Sequence, residues 1–448
     1  MPYETAQRDR IKKAGRSIPG AQNSPPMKWL ALAIALLVAA PLAARQAAAS
    51  PRFRQFLVGL LAFDLFNPAH VNFVSDEAYR GDSRGFEVTT VDLLVVALFL
   101  TQRLRGVRGG RPRFLLVRIL WMVSLLLSLT ATPSLLRSFY GVWKIARMFC
   151  MFSVMATAFL DMELVQAALM GLALGVVSQG LLALQQKYLH HMVRASGSQP
   201  HPNSLAMLVN FVMPVAFSLI LAGKARGIAV VVVIFAAMCD IFSLSRGGML
   251  MFGLALALVT VGSFLRGVTT RKIRIVAGVV VGALLVLAKS AGTIIQRFTE
   301  APKESELARV IFNKAARAMA NEHFFGVGLN MYSFVFDHGG YADLFDADPQ
   351  DRNGIAHHIY WLNAAETGYI GLAAYLLLLA AVLLSAIRSA VRPGLVGDIA
   401  LGIVAGLVVT YVQGTEEWIA RQTPMSYCFW LFAAMISAFQ VSSNERKR

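Results

Sequence analysis

Long apolar blocks separated by short polar connectors repeat along almost the whole chain. They fall at about 27–44, 54–66, 88–101, 114–130, 138–160, 163–185, 203–222, 227–244, 248–265 and 273–291, and again at 359–387, 398–413 and 425–440. Most approach the roughly 20 residues that a helix needs to cross a bilayer. A helix satisfies its own backbone hydrogen bonds in lipid, so the pattern predicts an all-α polytopic membrane protein. The block at 54–66 is short of a span and reads as an interfacial or re-entrant helix. That leaves about 12 transmembrane helices with both termini on one side.

One polar interval, from Thr293 to Gly371, is far longer than the others. The predicted organisation follows from it. A cytoplasmic tail over 1–26 precedes an N-terminal transmembrane bundle over 27–291. A large loop over 292–358 with short helices comes next, then C-terminal transmembrane helices over 359–440 and a second tail over 441–448. The first apolar block has a small-residue AAAS after it, yet the long polar tail ahead of it favours a retained span over a cleaved leader.

Charge sets the orientation. The 448 residues are 56% hydrophobic and only 15% charged, with a net charge of +17; soluble domains carry about 25% charged residues. The basic residues form no single patch, which argues against nucleic acid as a partner. They sit in connectors: Arg103, Arg105, Arg108, Arg111 and Arg113; Lys224 and Arg226; Arg266, Arg271, Lys272 and Arg274; Arg388 and Arg392; and Arg446-Lys447-Arg448. Alternating the spans puts all five on one side, the cytoplasm by the positive-inside bias. The same alternation gathers the 292–358 loop, the 186–202 loop and the Ser245-Arg246-Gly247-Gly248 turn on the opposite, periplasmic side. Cys150, Cys239 and Cys428 lie in apolar segments and read as small buried hydrophobes.

Charge at a membrane edge is costly and usually functional. Arg246 stands between two apolar spans among glycines that permit close backbone approach; a snorkelling arginine is the plainer alternative. Lys144 and Arg147 share a helix face and either line a polar cavity or pair with Asp161 or Glu163. Arg309 and Arg317, eight apart, are placed on one face of a helix that could also be merely solvated. His357-His358 stand where the loop re-enters the membrane, just before Tyr360 and Trp361. Beside arginines on the same side, such a histidine is a candidate general base, since its ordinary pKa is about 6.5. Gly326-Val-Gly328 reads as a turn, and His190, His191 and His201 have no zinc spacing.

The segment ELARVIFNKAARAMANEHFFGVGLNMYSF, followed by AHHIYWLNAAETGYIGL, resembles the central domain of the bacterial O-antigen ligase and O-antigen polymerase family. LSRGGML and RASGSQPHPNSLAM, ahead of it, resemble the same family. The likeness covers roughly residues 180–375. The family pattern of a histidine, usually followed by asparagine, then an aromatic and a Glu-x-Gly, falls on His357, Tyr360, Glu366 and Gly368. His358 occupies the usual asparagine place. The family arginines fall on Arg246 and Arg309.

The resemblance implies glycosyl transfer at the periplasmic face of the bacterial inner membrane, without metal or cofactor. The donor would be a glycan on undecaprenyl pyrophosphate and the acceptor another glycan or lipid A core. His357 would be the general base. Arg246 and Arg309, with Arg317, Lys144 and Arg147, would hold the pyrophosphate, because guanidiniums neutralise it through paired donors. Arg194, His358, Tyr360 and Glu366 would support the loop or the acceptor. A transporter or flippase of a lipid-linked saccharide is the competing class. It would spread charge along the depth of its spans and often repeat its halves, whereas here no repeat is evident and charge gathers at one face.

Overall fold

The computed structural model describes residues 22–23, 26–76, 79–107, 113–224, 227–299 and 303–445. Most of the expected N-terminal tail, together with Arg108, Arg111, Arg226 and Arg446-Lys447-Arg448, lies outside the described residues. The chain is dominated by α-helix: α1 Met27–Ala49, α2 Pro51–Asp64, α3 Thr90–Leu104, α4 Leu115–Ser128, α5 Leu135–Ala158, α6 Met162–Tyr188 and α7 Pro202–Ala222. There follow α8 Ile228–Ser243, α9 Arg246–Leu265, α10 Thr270–Thr299, α11 Lys303–Glu322, α12 Tyr332–His338 and α13 Tyr341–Leu344. The series closes with α14 Ile359–Ala390, α15 Leu395–Gln413 and α16 Thr423–Glu445. Seven of these (α1, α6, α7, α9, α14, α15 and α16) are long and apolar enough to cross a membrane, and α4 and α8 are shorter apolar helices.

The helices run back and forth between two ends. At one end the basic connectors meet their partners: Lys224 and Arg266 both pair with Asp398, at 3.0 and 2.9 Å, and Arg392 donates to the Phe439 carbonyl. The 186–202, 244–248, 303–358 and 414–422 segments gather at the other, here the loop end.

Lipid tails are as apolar as leucine, so helices in a membrane associate by close packing and not by escape from water. Gly402 and Gly406 of α15 lie so near α7 that a Cβ would stand 2.3 Å from Val215 Cα and from the Phe211 carbonyl oxygen. A Cβ at Gly171 of α6 would likewise stand 2.0 Å from the Gly59 carbonyl oxygen of α2.

That contact corrects the expected path of the N-terminal helices. α2 is not an interfacial helix, and the start of the described chain does not share an end with the basic connectors. Strand β1 (Gln22–Asn23) pairs with β2 (His70–Ser75), which pairs with β3 (Gly85–Thr89), all antiparallel, at the loop end. Trp29 of α1 stacks 4.5 Å from Phe73 of β2. The far end of α1 reaches α3, where Thr101 meets the Ala44 carbonyl. α2 then returns, and Asp64 meets Thr90 at the loop end. Its 14 residues cover about 21 Å at 1.5 Å per residue. Leu65 and Phe66 complete the distance, buried in protein, where irregular backbone is tolerated.

The small sheet was not anticipated from the hydropathy pattern. Its hairpin is fastened to α5 by ion pairs, Arg137–Asp76 at 2.9 Å, Lys144–Asp82 at 3.0 Å and Arg147–Glu87 at 3.5 Å, and Arg147 also pairs with Asp92 of α3 at 2.6 Å. Lys144 and Arg147 therefore pair with the hairpin and α3, not with Asp161 or Glu163.

α14 breaks at Gly368, which has φ 67° and ψ 178°, the conformation glycine tolerates best. The break leaves the Ala365 and Glu366 carbonyls without helical partners, and Val327 N and Gly328 N donate to them at 2.8 and 3.0 Å. The Gly326-Val-Gly328 turn and the Glu-x-Gly sequence are thus two halves of one backbone joint.

Candidate active site

A cavity of about 1390 Å³ lies at the loop end. The β2–β3 hairpin, the 194–204 segment, the Ser245–Gly247 turn, the start of α11 and the 413–424 connector form its wall. Arg194, Arg246, Arg309, Lys144 and His357 all line it. A second, mostly apolar cavity of about 70 Å³ shares Asp82 and Lys144 with it and is walled by Tyr360, Tyr375, Tyr411 and Trp430.

The centre of the large cavity is a residue that the sequence reading missed. Glu417, in the connector between α15 and α16, is buried. Its Oε2 lies 3.2 Å from His357 Nδ1, and its Oε1 accepts from Arg309 at 3.0 Å and from the Asn203 amide at 2.7 Å. Burial alone would raise the Glu417 carboxyl. The His357 hydrogen bond and the Arg309 charge outweigh it and hold the group below its ordinary value. An ionised carboxylate only accepts, so His357 Nδ1 carries the proton and Nε2 keeps its lone pair. The ring stacks against Phe312 of α11, with centroids 6.4 Å apart and planes 19° apart.

The neighbouring histidine is set the other way. His358 is the N-cap of α14, and its Nδ1 accepts from Trp361 N at 3.3 Å. In the neutral ring the proton is then on Nε2. Burial and the nearby Arg317 both lower its pKa, which keeps the cap neutral. Asparagine is a favoured N-cap, and a neutral histidine supplies the same kind of acceptor. His201 does likewise at the start of α7, accepting from Asn203 N at 3.1 Å.

The arginines divide. Arg246 is the first residue of α9. Ser245 caps that helix by accepting from Gly248 N at 3.2 Å, and Arg246 pairs with Glu306 of α11 at 3.1 Å. A Cβ at Gly248 would stand 2.5 Å from Ala206 Cβ, so glycine lets this turn settle onto α7. Arg194 ties the turn to its surroundings, donating to the Ser243 carbonyl and to Asn203 Oδ1 at 2.9 and 2.8 Å. Arg317 does not line the cavity; its guanidinium lies 4.6 Å over the Trp361 ring. Eight residues of α-helix turn about 80° beyond two full turns, so Arg309 and Arg317 do not share a face. Arg147 also stands off the cavity lining, held by Asp92, Glu87 and the Tyr427 hydroxyl.

Tyr360 and Glu366 serve the surrounding structure. Tyr360 donates to the Tyr411 carbonyl at 2.8 Å. Glu366 is 1% exposed, too enclosed to meet a substrate. It accepts from Tyr332 N at 3.1 Å and from Arg421 at 2.6 Å.

Residues 229–376 match the model of a family described as O-Antigen ligase. That segment is similar to the O-antigen ligase family. It holds Arg246, Arg309, His357 and Glu366, while Arg194, Asn203 and Glu417 come from either side of it. No curated protein matches the chain. The matching segment thus supplies the histidine and two arginines, and the α15–α16 connector beyond it supplies the carboxylate that joins His357 to Arg309.

Proposed function

We propose that the chain transfers a glycan from undecaprenyl pyrophosphate to a sugar hydroxyl of an acceptor, a lipid A core or a growing glycan, at the periplasmic face of the inner membrane. His357 Nε2 takes the proton of the acceptor hydroxyl as that oxygen attacks the anomeric carbon. The bond from that carbon to the phosphate oxygen breaks, and the carrier pyrophosphate leaves with its electron pair. Arg246 and Arg309 neutralise the charge that builds on it. Glu417 takes one of the five N–H groups of Arg309 and steadies the imidazolium that His357 becomes.

The observation that carries this reading is the His357–Glu417 pair at the cavity wall, where the matching family segment also contributes Arg246 and Arg309. The opposite settings of the two histidines favour His357, whose Nδ1 faces Glu417 and whose Nε2 keeps its lone pair. The test uses the purified full chain in lipid nanodiscs with a polyprenyl-pyrophosphate oligosaccharide and a lipid A-core acceptor. Transfer product and freed carrier pyrophosphate are measured for the parent, H357A and H358N. Product from the parent and H358N but not from H357A is expected. Equal rates in all three would remove histidine from the chemistry, and no product or freed carrier from any would remove the transfer itself.

A further inference from the structure

Four residues beyond Glu417, on the same connector, lies a second ionic cluster that the transfer chemistry does not use. Arg421 donates through one terminal nitrogen to Glu366 Oε2 at 2.6 Å and through Nε to Asp82 Oδ2 at 3.3 Å. Its backbone carbonyl accepts from Lys144 Nζ at 2.6 Å, and Lys144 also pairs with Asp82 at 3.0 Å. The side chains of Asp82, Glu366 and Lys144 are 5%, 2% and 7% exposed, so two acids and two cations neutralise one another away from water. Burial opposes the Arg421 charge, but Glu366 and Asp82 more than restore it and raise its pKa. The cluster joins three separate parts of the fold: the β2–β3 hairpin, helix α5 and the joint of α14 that follows His357.

We infer that Arg421 is a positioning residue for the base: anchored to Glu366 and Asp82, it fixes the 414–422 connector and so sets the distance between Glu417 and His357. The inference rests on the transfer reading only for its kinetic arm. Ile359 N donates to the Gly414 carbonyl at 2.9 Å at one end of the connector, and Arg421 N and Gln422 N donate to the Trp418 and Ile419 carbonyls at 3.0 and 2.8 Å within it. Glu417 lies between Gly414 and Arg421, and Arg421 grips α14 at Glu366, seven residues beyond Ile359 and nine beyond His357. A guanidinium spans two carboxylates with a planar fork, which an ammonium cannot reproduce. Lysine at 421 would keep the charge and release one carboxylate, and the connector with it.

The test compares R421K, E417Q and the double variant R421K/E417Q as purified full chains in nanodiscs, with the ring nitrogens of labelled histidine followed by NMR and H357A used to assign His357. The Glu417 carboxylate holds the proton on Nδ1, and a neutral amide accepts less strongly. The Nδ1–H tautomer of His357 should therefore lose population in E417Q, and in R421K in the same direction. With the lipid-linked donor, R421K should lose about tenfold in turnover, within the range a misplacement of about 1 Å produces, with the donor KM little changed. The double variant should be no slower than E417Q alone. R421Q/E366Q is the companion for the case that R421K fails to fold. It exchanges the ion pair for an amide pair, leaves no uncompensated charge there and keeps Asp82 on Lys144. It should move the His357 tautomer in the same way.

An unmoved His357 tautomer in a folded variant, or losses that multiply in the double variant, would overturn the positioning role. A purely structural arginine would lower the folded fraction and leave the tautomer in place. If the parent transfers no glycan, the function proposed above fails, while the NMR arm still decides the role of Arg421.

Discussion

The 414–422 connector carries two ionic clusters four residues apart, and they are built to opposite ends. Around Arg421 every charge is enclosed and answered by an opposite charge within the fold. Around Glu417 the carboxylate is enclosed, but its partners are not: Arg309 and His357 keep 30% and 26% of their side-chain surface. The first cluster has nothing left to offer a ligand. The second has a saturated carboxylate at its back and unspent donors and a lone pair at its front. Buried charge pairs are weak evidence for stability, but removing one partner of such a pair is severe, often about 3–5 kcal/mol. The comparison teaches that ion-pair length alone does not mark a functional site; the direction in which the pair is left open does.

The largest expected effect follows from removing the lone pair. H357A should cost about 10²–10⁴-fold in turnover, the usual contribution of a general base. Donor binding should stay near the parent, because a base acts in the chemical step. Equal loss in donor affinity, read by titration with the lipid-linked donor, would place His357 among the binding groups instead. E417Q comes next, at about a hundredfold, the order that misplacement of a catalytic group reaches. The Nδ1–H tautomer of His357 should lose population with it, since a neutral amide accepts less strongly than the carboxylate that holds that proton. An unchanged tautomer by NMR would break the contrast between the two clusters.

R246K and R309K should each lose about tenfold, nearly as much as the alanine variants, because a charged hydrogen bond contributes about 1.5–3 kcal/mol and the fork is lost. Protein levels should remain normal. Full rates in both lysine forms would return Arg246 and Arg309 to the roles of snorkelling and solvated residues.

The smallest effect belongs to H358N, with a rate within about twofold of the parent, since asparagine caps as well. Its signature is in stability. The folded pKa of His358 is lowered below its ordinary value. Between the two values the unfolded chain binds more protons, and stability falls as pH drops through that window. Thermal melts of H358N should be less sensitive to pH between about 7 and 5 than those of the parent.

Much of this was legible in the sequence, for identifiable reasons. Apolar blocks gave the helices, because a continuous run of that length has few alternatives in lipid. The connector charges gathered the right segments at one end, and Arg246, Arg309 and His357 do line one cavity. Other features depend on facts that hydropathy does not carry. HVNFVS and GFEVT alternate with the period of a strand but are too short to compete with the spans around them. α2 is held by Gly59 against Gly171, a contact 112 positions apart in the chain. Glu417 stands in a short connector after Glu416, and nothing in the local pattern set it apart from the other acids of that end, Asp346, Asp348 and Asp351 among them. Arg317 was misplaced for a simpler reason: an eight-residue interval overshoots two helical turns by about 80°.

The saturation of Glu417 has a consequence for how a catalytic cycle would close. Each glycosidic bond made from a hydroxyl liberates one proton, which His357 would receive in the proposed transfer. Glu417 already accepts from Arg309 and Asn203 as well as from the imidazole, and it is held below its ordinary value, so it does not relay that proton inward. The way out is through Nε2 itself, into a cavity of about 1390 Å³, roomy enough for water at about 30 Å³ per molecule. A long saccharide filling that cavity delays the hand-off. Resetting the base is thereby tied to the product moving on, and turnover on long glycans becomes sensitive to buffer concentration as well as to pH.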